Sequence, residues 1–164
     1  MKNIDAIIIH CSATKEGQDI KAADIDRMHK AQGWKQIGYN FVVDLDGTVE
    51  NGRPLTINGA HCNSKDGQGR TYNSHSIGIC YIGGLNASGK PAGTRTPKQK
   101  ASLVELINRL CREYNIIELL GHRDTSPDLN DDGTIEPFEF IKACPCFDVR
   151  EEYNSFLKPI IIRP

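Results

Sequence analysis

The sequence predicts a mixed α/β fold, a central and mostly buried β-sheet flanked by helices. Three observations carry this expectation. Short apolar runs at 4–9, 77–82 and 116–120 lack polar alternation, as strands covered on both faces do. An Asp46-Gly47 pair stands between two apolar stretches, a strong local hairpin signal. Segments with apolar residues three and four apart separate these runs, and strands interleaved with helices pack as layers.

Taken in order, residues 4–9 (IDAIII) form a buried strand that delivers His10 at its C-terminal end. Residues 12–21 are a polar loop. Asp24 heads a helix to about Gln32, with Ile25, Met28 and Ala31 on its inner face and Gly33 as its stop. Residues 39–45 and 48–50 flank the hairpin turn. Residues 52–75 are rich in Gly, Asn, Ser, Lys and Asp and form a long irregular connection, the kind of segment that carries binding residues. A second buried strand, 77–82, ends at Gly83-Gly84, and 85–96 is again loop. Pro97 opens a helix to about Tyr114, because its missing N–H costs nothing in the first turn. Ala101, Leu103, Val104, Leu106, Ile107, Leu110 and Cys111 give that helix a broad apolar face, which makes it the main packing helix. The strand 116–120 leads into Gly121-His122. A polar, acidic insertion follows over 124–141, then a compact turn around Lys142 to Phe147 and a last helix over 148–157.

A chain of 164 residues matches one domain, spanning 1–164. At 38% hydrophobic and 25% charged residues it has an ordinary globular composition, which argues against disorder, collagen and coiled coil. Charges nearly cancel, 20 Lys+Arg against 21 Asp+Glu, whereas non-specific nucleic-acid binders carry a basic excess, so no nucleic-acid partner is expected. The apolar run Ala6 to Ile9 is too short for the core of a secretory signal, and no stretch approaches the ~18 apolar residues of a membrane span. The expectation is a monomer, cytoplasmic when synthesised, with no membrane partner. Six cysteines invite a disulfide reading, but that needs an oxidising compartment. Core thiols, with one or two doing chemistry, fit better.

Three residues of metal-ligand type stand at the ends of elements: His10 after the first strand, His122 after 116–120, and Cys144 in the turn Lys142-Ala143-Cys144-Pro145-Cys146. Two imidazoles and a thiolate suit zinc and leave a fourth position for water, the pattern of a catalytic site. Such a metal lowers the pKa of bound water toward ~7 and polarises a carbonyl. The residues alone leave the matter open. The ligands are far apart, no local H-E-x-x-H motif is present, and on pattern alone each histidine reads more readily as a core or surface residue.

The strings IIIHCSAT, HKAQGWKQIGYNFVVDLDGTVENGR, SIGICYIGG and KACPCFD, in that order, resemble the phage lysozyme-type zinc amidases. These are N-acetylmuramoyl-L-alanine amidases, related to the peptidoglycan recognition proteins. The likeness runs from about Ile4 to Tyr153. It implies zinc on His10, His122 and Cys144, a catalytic tyrosine at Tyr39 in the G-Y-x-F stretch, and a catalytic lysine at Lys142. The implied reaction is hydrolysis of the amide joining N-acetylmuramic acid to L-alanine in peptidoglycan, as in an endolysin, released by late lysis. Lys142 would stabilise the oxyanion and Tyr39 would hydrogen-bond the reacting water or move its proton. The cysteine ligand favours the enzymes over recognition-only members, which lack it; a peptidoglycan-binding module with little turnover is the alternative. The resemblance also places His61 and Asn73 near substrate, with Asn73 better suited to fixing its loop. His75 reads as exposed, Cys11 and Cys80 as packed thiols, Cys62 and Cys111 as ordinary thiols, Cys146 as a neighbour of the ligand, and Asp124 as a partner of a ligand histidine or of a surface cation. A cysteine hydrolase built on Cys11 and His10 is disfavoured, because adjacent strand residues point to opposite faces.

The insertion departs from the phage pattern. Asp128, Asn130, Asp132, Gly133 and Glu139 fit the calcium-loop formula D-x-[DN]-x-[DN]-G-x5-E, with the Thr134 carbonyl as the backbone ligand. Asp, Asn and Gly also favour solvated turns, and Pro127 argues against the helix that precedes such a loop in a full EF-hand. The expectation is a structural calcium ion clipping the segment that carries Lys142 and Cys144.

Overall fold

The computed structural model describes residues 2–157; residues 158–164, the end of the expected domain span, lie outside the described residues. In chain order its strands are β1 (Ala6–Cys11), β2 (Thr14–Lys15), β3 (Phe41–Val43), β4 (Val49–Asn51), β5 (Ser76–Tyr81), β6 (Gly84–Leu85) and β7 (Glu118–Gly121). Its helices are α1 (Ala22–Ala31), α2 (Tyr72–His75), α3 (Pro97–Glu113) and α4 (Val149–Tyr153). The main sheet has the order β4-β3-β5-β1-β7, and all its pairings are parallel except the β3–β4 hairpin. β2 and β6 make a separate parallel pair. Among the described residues no helix is long and apolar enough to cross a membrane.

Strand parity divides the molecule. Ile7, Ile9 and Cys11 of β1 point to one face, where they pack with Ile77, Ile79 and Tyr81 of β5 and with Leu103, Leu106, Ile107 and Leu110 of α3. Ala6 and Ile8 point to the other face, toward Cys62, Tyr72 and Leu120. On that second face Val42 and Cys80 meet Ala22 and Ile25 of α1. Each fully buried isoleucine on either face stabilises by roughly 1.5–3 kcal/mol. His10 is an even-numbered residue of β1, so it shares the face that lacks α3.

α3 is anchored at its first turn. The Thr96 hydroxyl accepts from the Gln99 amide and the Gln99 carboxamide accepts from the Thr96 amide, a capping box. The Gln99 side chain, fully buried, also donates to the carbonyls of Val43 and Ile82, which ties the helix start to the sheet. Its inner face is narrower than the sequence suggests: Ala101 and Val104 are exposed, and Gln99 replaces them inside.

α1 also differs from expectation. It begins at Ala22 rather than Asp24, because the Asp24 carboxylate caps the Lys21 amide. Its inner residues are Ala22, Ile25 and His29, while Met28 and Ala31 face solvent. The His29 imidazole is held inside because its Nδ1 accepts from the Gly38 amide at 3.0 Å. The expectation of an exposed His75 is overturned. It is buried, with Nδ1 at 2.5 Å from Asp5, a carboxylate that Arg70 also grips. The acidic insertion is irregular apart from 3-10 turns at His122–Thr125 and Pro137–Glu139. The expected last helix is α4, capped by Asp148 and followed by a 3-10 turn at Asn154–Phe156.

Candidate functional site

β1 and β7 run side by side and in parallel, so their C-terminal ends share one edge of the sheet. Sites of parallel α/β sheets gather at that edge. His10 stands near the end of β1 and His122 immediately after β7, and their rings lie 4.6 Å apart centre to centre. The turn carrying Cys144 is brought up beside them by one backbone bond, from the Arg123 amide to the Cys144 carbonyl at 2.8 Å. Cys144 Sγ accepts from the Cys11 amide at 3.2 Å and lies 3.9 Å from His10 Nδ1. One ligand atom from each of His10, His122 and Cys144 falls within 4.8 Å of the others, the one such His/Cys/Asp/Glu group among the described residues. A tetrahedral zinc with ordinary Zn–N and Zn–S lengths needs an N···S distance of about 3.6 Å. The donor set therefore fits zinc, and the His10 Nδ1 to Cys144 Sγ distance needs to close by only a few tenths of an ångström.

The surroundings keep the His10 and His61 imidazoles neutral. Burial, reinforced by His61, His122 and Lys142, holds the His10 pKa well below its usual value. Burial, with Lys2, His122 and Arg53, pushes His61 down to about 3. Neutral imidazole is the form that binds a metal. Tyr39 precedes β3, with its ring centre 5.0 Å from that of His10. Burial raises its pKa, so its hydroxyl keeps the proton. Lys142 is exposed and lines a cleft of ≈ 470 Å³ together with Trp34, Ala60, His61, Asn63 and His122.

The other singled-out residues fall as follows. His61 borders this cleft but is buried at 8% exposure, with Nδ1 at 2.9 Å from His10 Nε2. The Asn73 side chain is committed to its loop: its oxygen accepts from the amides of His61 and Cys62 at 2.8 and 2.9 Å, and its nitrogen donates to Asn63. Asp124 caps the Gly121 amide at 2.7 Å, shaping the turn that presents His122. Cys146 Sγ donates to the Gly84 carbonyl. Cys80 is a packed thiol in the α1-side core. Cys62 is packed in the core beside Ala6 and Ile8, and it also touches the His122 side chain and Thr125. In the insertion, Asp128 accepts from the Gly133 amide at 2.7 Å and Asp132 from the Thr134 amide at 2.8 Å. Glu139, buried, accepts from the amides of Leu129 and Glu136. These carboxylates cap the loop's own backbone, and Asn130 donates to Asp132 and Glu136.

The sequence profile described as N-acetylmuramoyl-L-alanine amidase matches residues 1–137, a span that holds His10, Tyr39 and His122. The chain belongs to the N-acetylmuramoyl-L-alanine amidase family. The endolysin of Klebsiella phage KP32 is 38% identical over 149 residues, covering 91% of this chain and 85% of the relative. Among solved structures, the N-acetylmuramoyl-L-alanine amidase LysC from Clostridium intestinale is 27% identical with a TM-score of 0.65, over 95% of this chain and 87% of that one. Bumblebee PGRP-SA, at 22% identity and a TM-score of 0.66 over 99% of this chain and 87% of that one, shares the fold. As a member of the amidase family, the protein hydrolyses the amide between N-acetylmuramic acid and L-alanine in peptidoglycan.

Sequence reasoning missed three parts of this amidase site: the Cys11 amide on the Cys144 sulfur, the Cys62 thiol beside His122, and the contact of His61 with His10. Cys11 and Cys144 are 133 residues apart and His10 and His61 51 apart, separations at which local pattern says nothing.

Proposed function

We propose that this amidase works with a single zinc ion held by His10, His122 and Cys144. The observation that carries the reading is the convergence of these three donors within 4.8 Å of one another, with His122 also lining the cleft. A zinc ion bound there would supply Lewis acidity and an activated water at neutral pH. The chain's own residues do the rest. Lys142 lines the cleft as an exposed cation, and it donates to the amide oxygen of the muramyl-peptide as negative charge grows there. Tyr39 keeps its hydroxyl proton and serves as a hydrogen-bonding group that holds the reacting water or moves its proton. The Cys11 amide neutralises part of the thiolate charge on Cys144. The protein acts as a monomer on wall muramyl-peptide after release from the cytoplasm where it is made.

Metal analysis of the purified protein together with digestion of isolated sacculi tests this reading. One zinc per chain is expected, with peptide release lost on chelation and restored by added Zn²⁺. Full activity in metal-free protein would end it.

We further infer that the 128–139 loop takes calcium through Asp128, Asn130, Asp132, the Thr134 carbonyl and Glu139. What supports this is the fit of the sequence to the loop formula at every defined position, with Glu139 a buried carboxylate at its closing end. Calorimetric titration of Ca²⁺ into metal-stripped protein should show binding that Asp132→Ala removes. A flat titration at millimolar calcium refutes it.

A further inference from the structure

His61 occupies a place made for it. A Cβ on Gly59 or on Gly78 would lie 2.6 Å from its ring, so both neighbours are glycines that admit the imidazole against the sheet. Gly78 pairs with Ile8 in the β1–β5 ladder, on the strand beside the one that carries His10. The His61 backbone is fixed as well, since the Asn73 carboxamide oxygen accepts from its amide and the next. This is more construction than a cleft-lining residue needs.

The hydrogen bonds assign the protons. The Ser76 hydroxyl donates to the Tyr72 carbonyl at 2.5 Å, which uses its only hydrogen. Toward His61 Nε2, 3.4 Å away, Ser76 Oγ can then only accept. His61 Nε2 therefore carries the hydrogen. The ring is buried and neutral, so Nδ1 is bare and accepts from His10 Nε2–H at 2.9 Å. His10, neutral in turn, is left with a bare Nδ1, the atom that faces Cys144 Sγ.

We propose that His61 is a positioning residue: the chain Tyr72 carbonyl, Ser76, His61, His10 locks His10 in the Nε2–H tautomer and presents Nδ1 to the metal. Metal-bound histidines need such an outer partner to hold their orientation, and its loss weakens metal binding by about 10–100-fold. The inference rests on the zinc reading above for the identity of the metal, but the tautomer does not depend on it.

The test has two arms. In unmutated, metal-free protein, ¹⁵N NMR of the histidine rings should show hydrogen on Nε2 of both His10 and His61. Hydrogen on His10 Nδ1 overturns the proposal. In the second arm, zinc affinity is compared in His61→Leu and His61→Asn. Asparagine places an acceptor oxygen where Nδ1 stood, and leucine fills the space without one. The leucine variant should bind zinc about 10–100-fold more weakly, with affinity recovered in the asparagine variant. Wild-type affinity in the leucine variant sinks the proposal. If the wild type takes up no zinc, it is the zinc reading that fails, and the NMR arm alone decides the tautomer. A leucine variant that does not fold likewise leaves the decision to that arm.

Discussion

Cys144→Ala should leave a folded protein that holds little zinc and releases peptide from sacculi at least about 10³-fold more slowly than wild type. The loss is expected to exceed that of any other single change, because the thiolate is the only anionic donor of the three. Two neutral imidazoles compete poorly with water for a divalent ion, whereas the sulfur adds both charge and softness. The site is also built around that sulfur, with the Cys11 amide donating to it at 3.2 Å. Removal leaves this donor without its acceptor, a cost of about 1–3 kcal/mol, small against the stability of a typical domain. Zinc stoichiometry, far-UV circular dichroism and a sacculus assay on the same preparation separate loss of metal from loss of fold. Substantial activity in this variant would show that the thiolate is not a ligand.

Lys142→Met should keep the zinc and lose about 10²–10³-fold in kcat. The side chain is exposed on the cleft, and methionine retains its length without the cation. A charge that acts on the developing oxyanion lowers the barrier and leaves ground-state binding nearly untouched, so KM should hardly move. Lys142→Arg should recover part of the rate, since it restores the charge with a different donor geometry. If Lys142→Met raises KM and spares kcat, the lysine binds substrate and does no chemistry. These two variants divide the site into its metal-holding and charge-stabilising parts.

The elements that position the site were legible where local chemistry decides them. The apolar run before His10, the Asp46-Gly47 hairpin and the Pro97 helix start are local signals, and each appears within a residue or two of its expected place. The inner faces of α1 and α3 were less legible. Periodicity selects apolar side chains, but His29 and Gln99 are inside because specific amides and carbonyls of distant loops satisfy them. His75 misled for the same reason: a histidine reads as polar until Asp5, 70 residues away, supplies its partner. The ligands His10, His122 and Cys144 were identifiable as residue types at element ends and through family likeness, and their convergence depends on the parallel pairing of β1 with β7. Their supporting partners His61, Cys62, Asn73 and Ser76 were not readable as a set, because each acts through a contact that only the assembled sheet creates.

One backbone bond shapes what the insertion can be. The Arg123 amide meets the Cys144 carbonyl at 2.8 Å, so the chain leaves the site after His122 and returns to it at Cys144 through a closed neck. Asp124, Thr125 and Lys142 stay at the site just inside the neck, whereas the stretch 127–138 between them is mostly exposed, and closing a longer loop adds only about 0.6 kcal/mol per doubling of its length. The metal site is in this sense blind to the length of the chain between two of its ligands. The neck is a docking port in the covalent chain: lineages can lengthen, shorten or replace the mostly exposed stretch 127–138, and an engineer can graft a wall-binding or reporter module there, while Asp124, Thr125 and Lys142 at its two ends keep their places beside the centre that cuts.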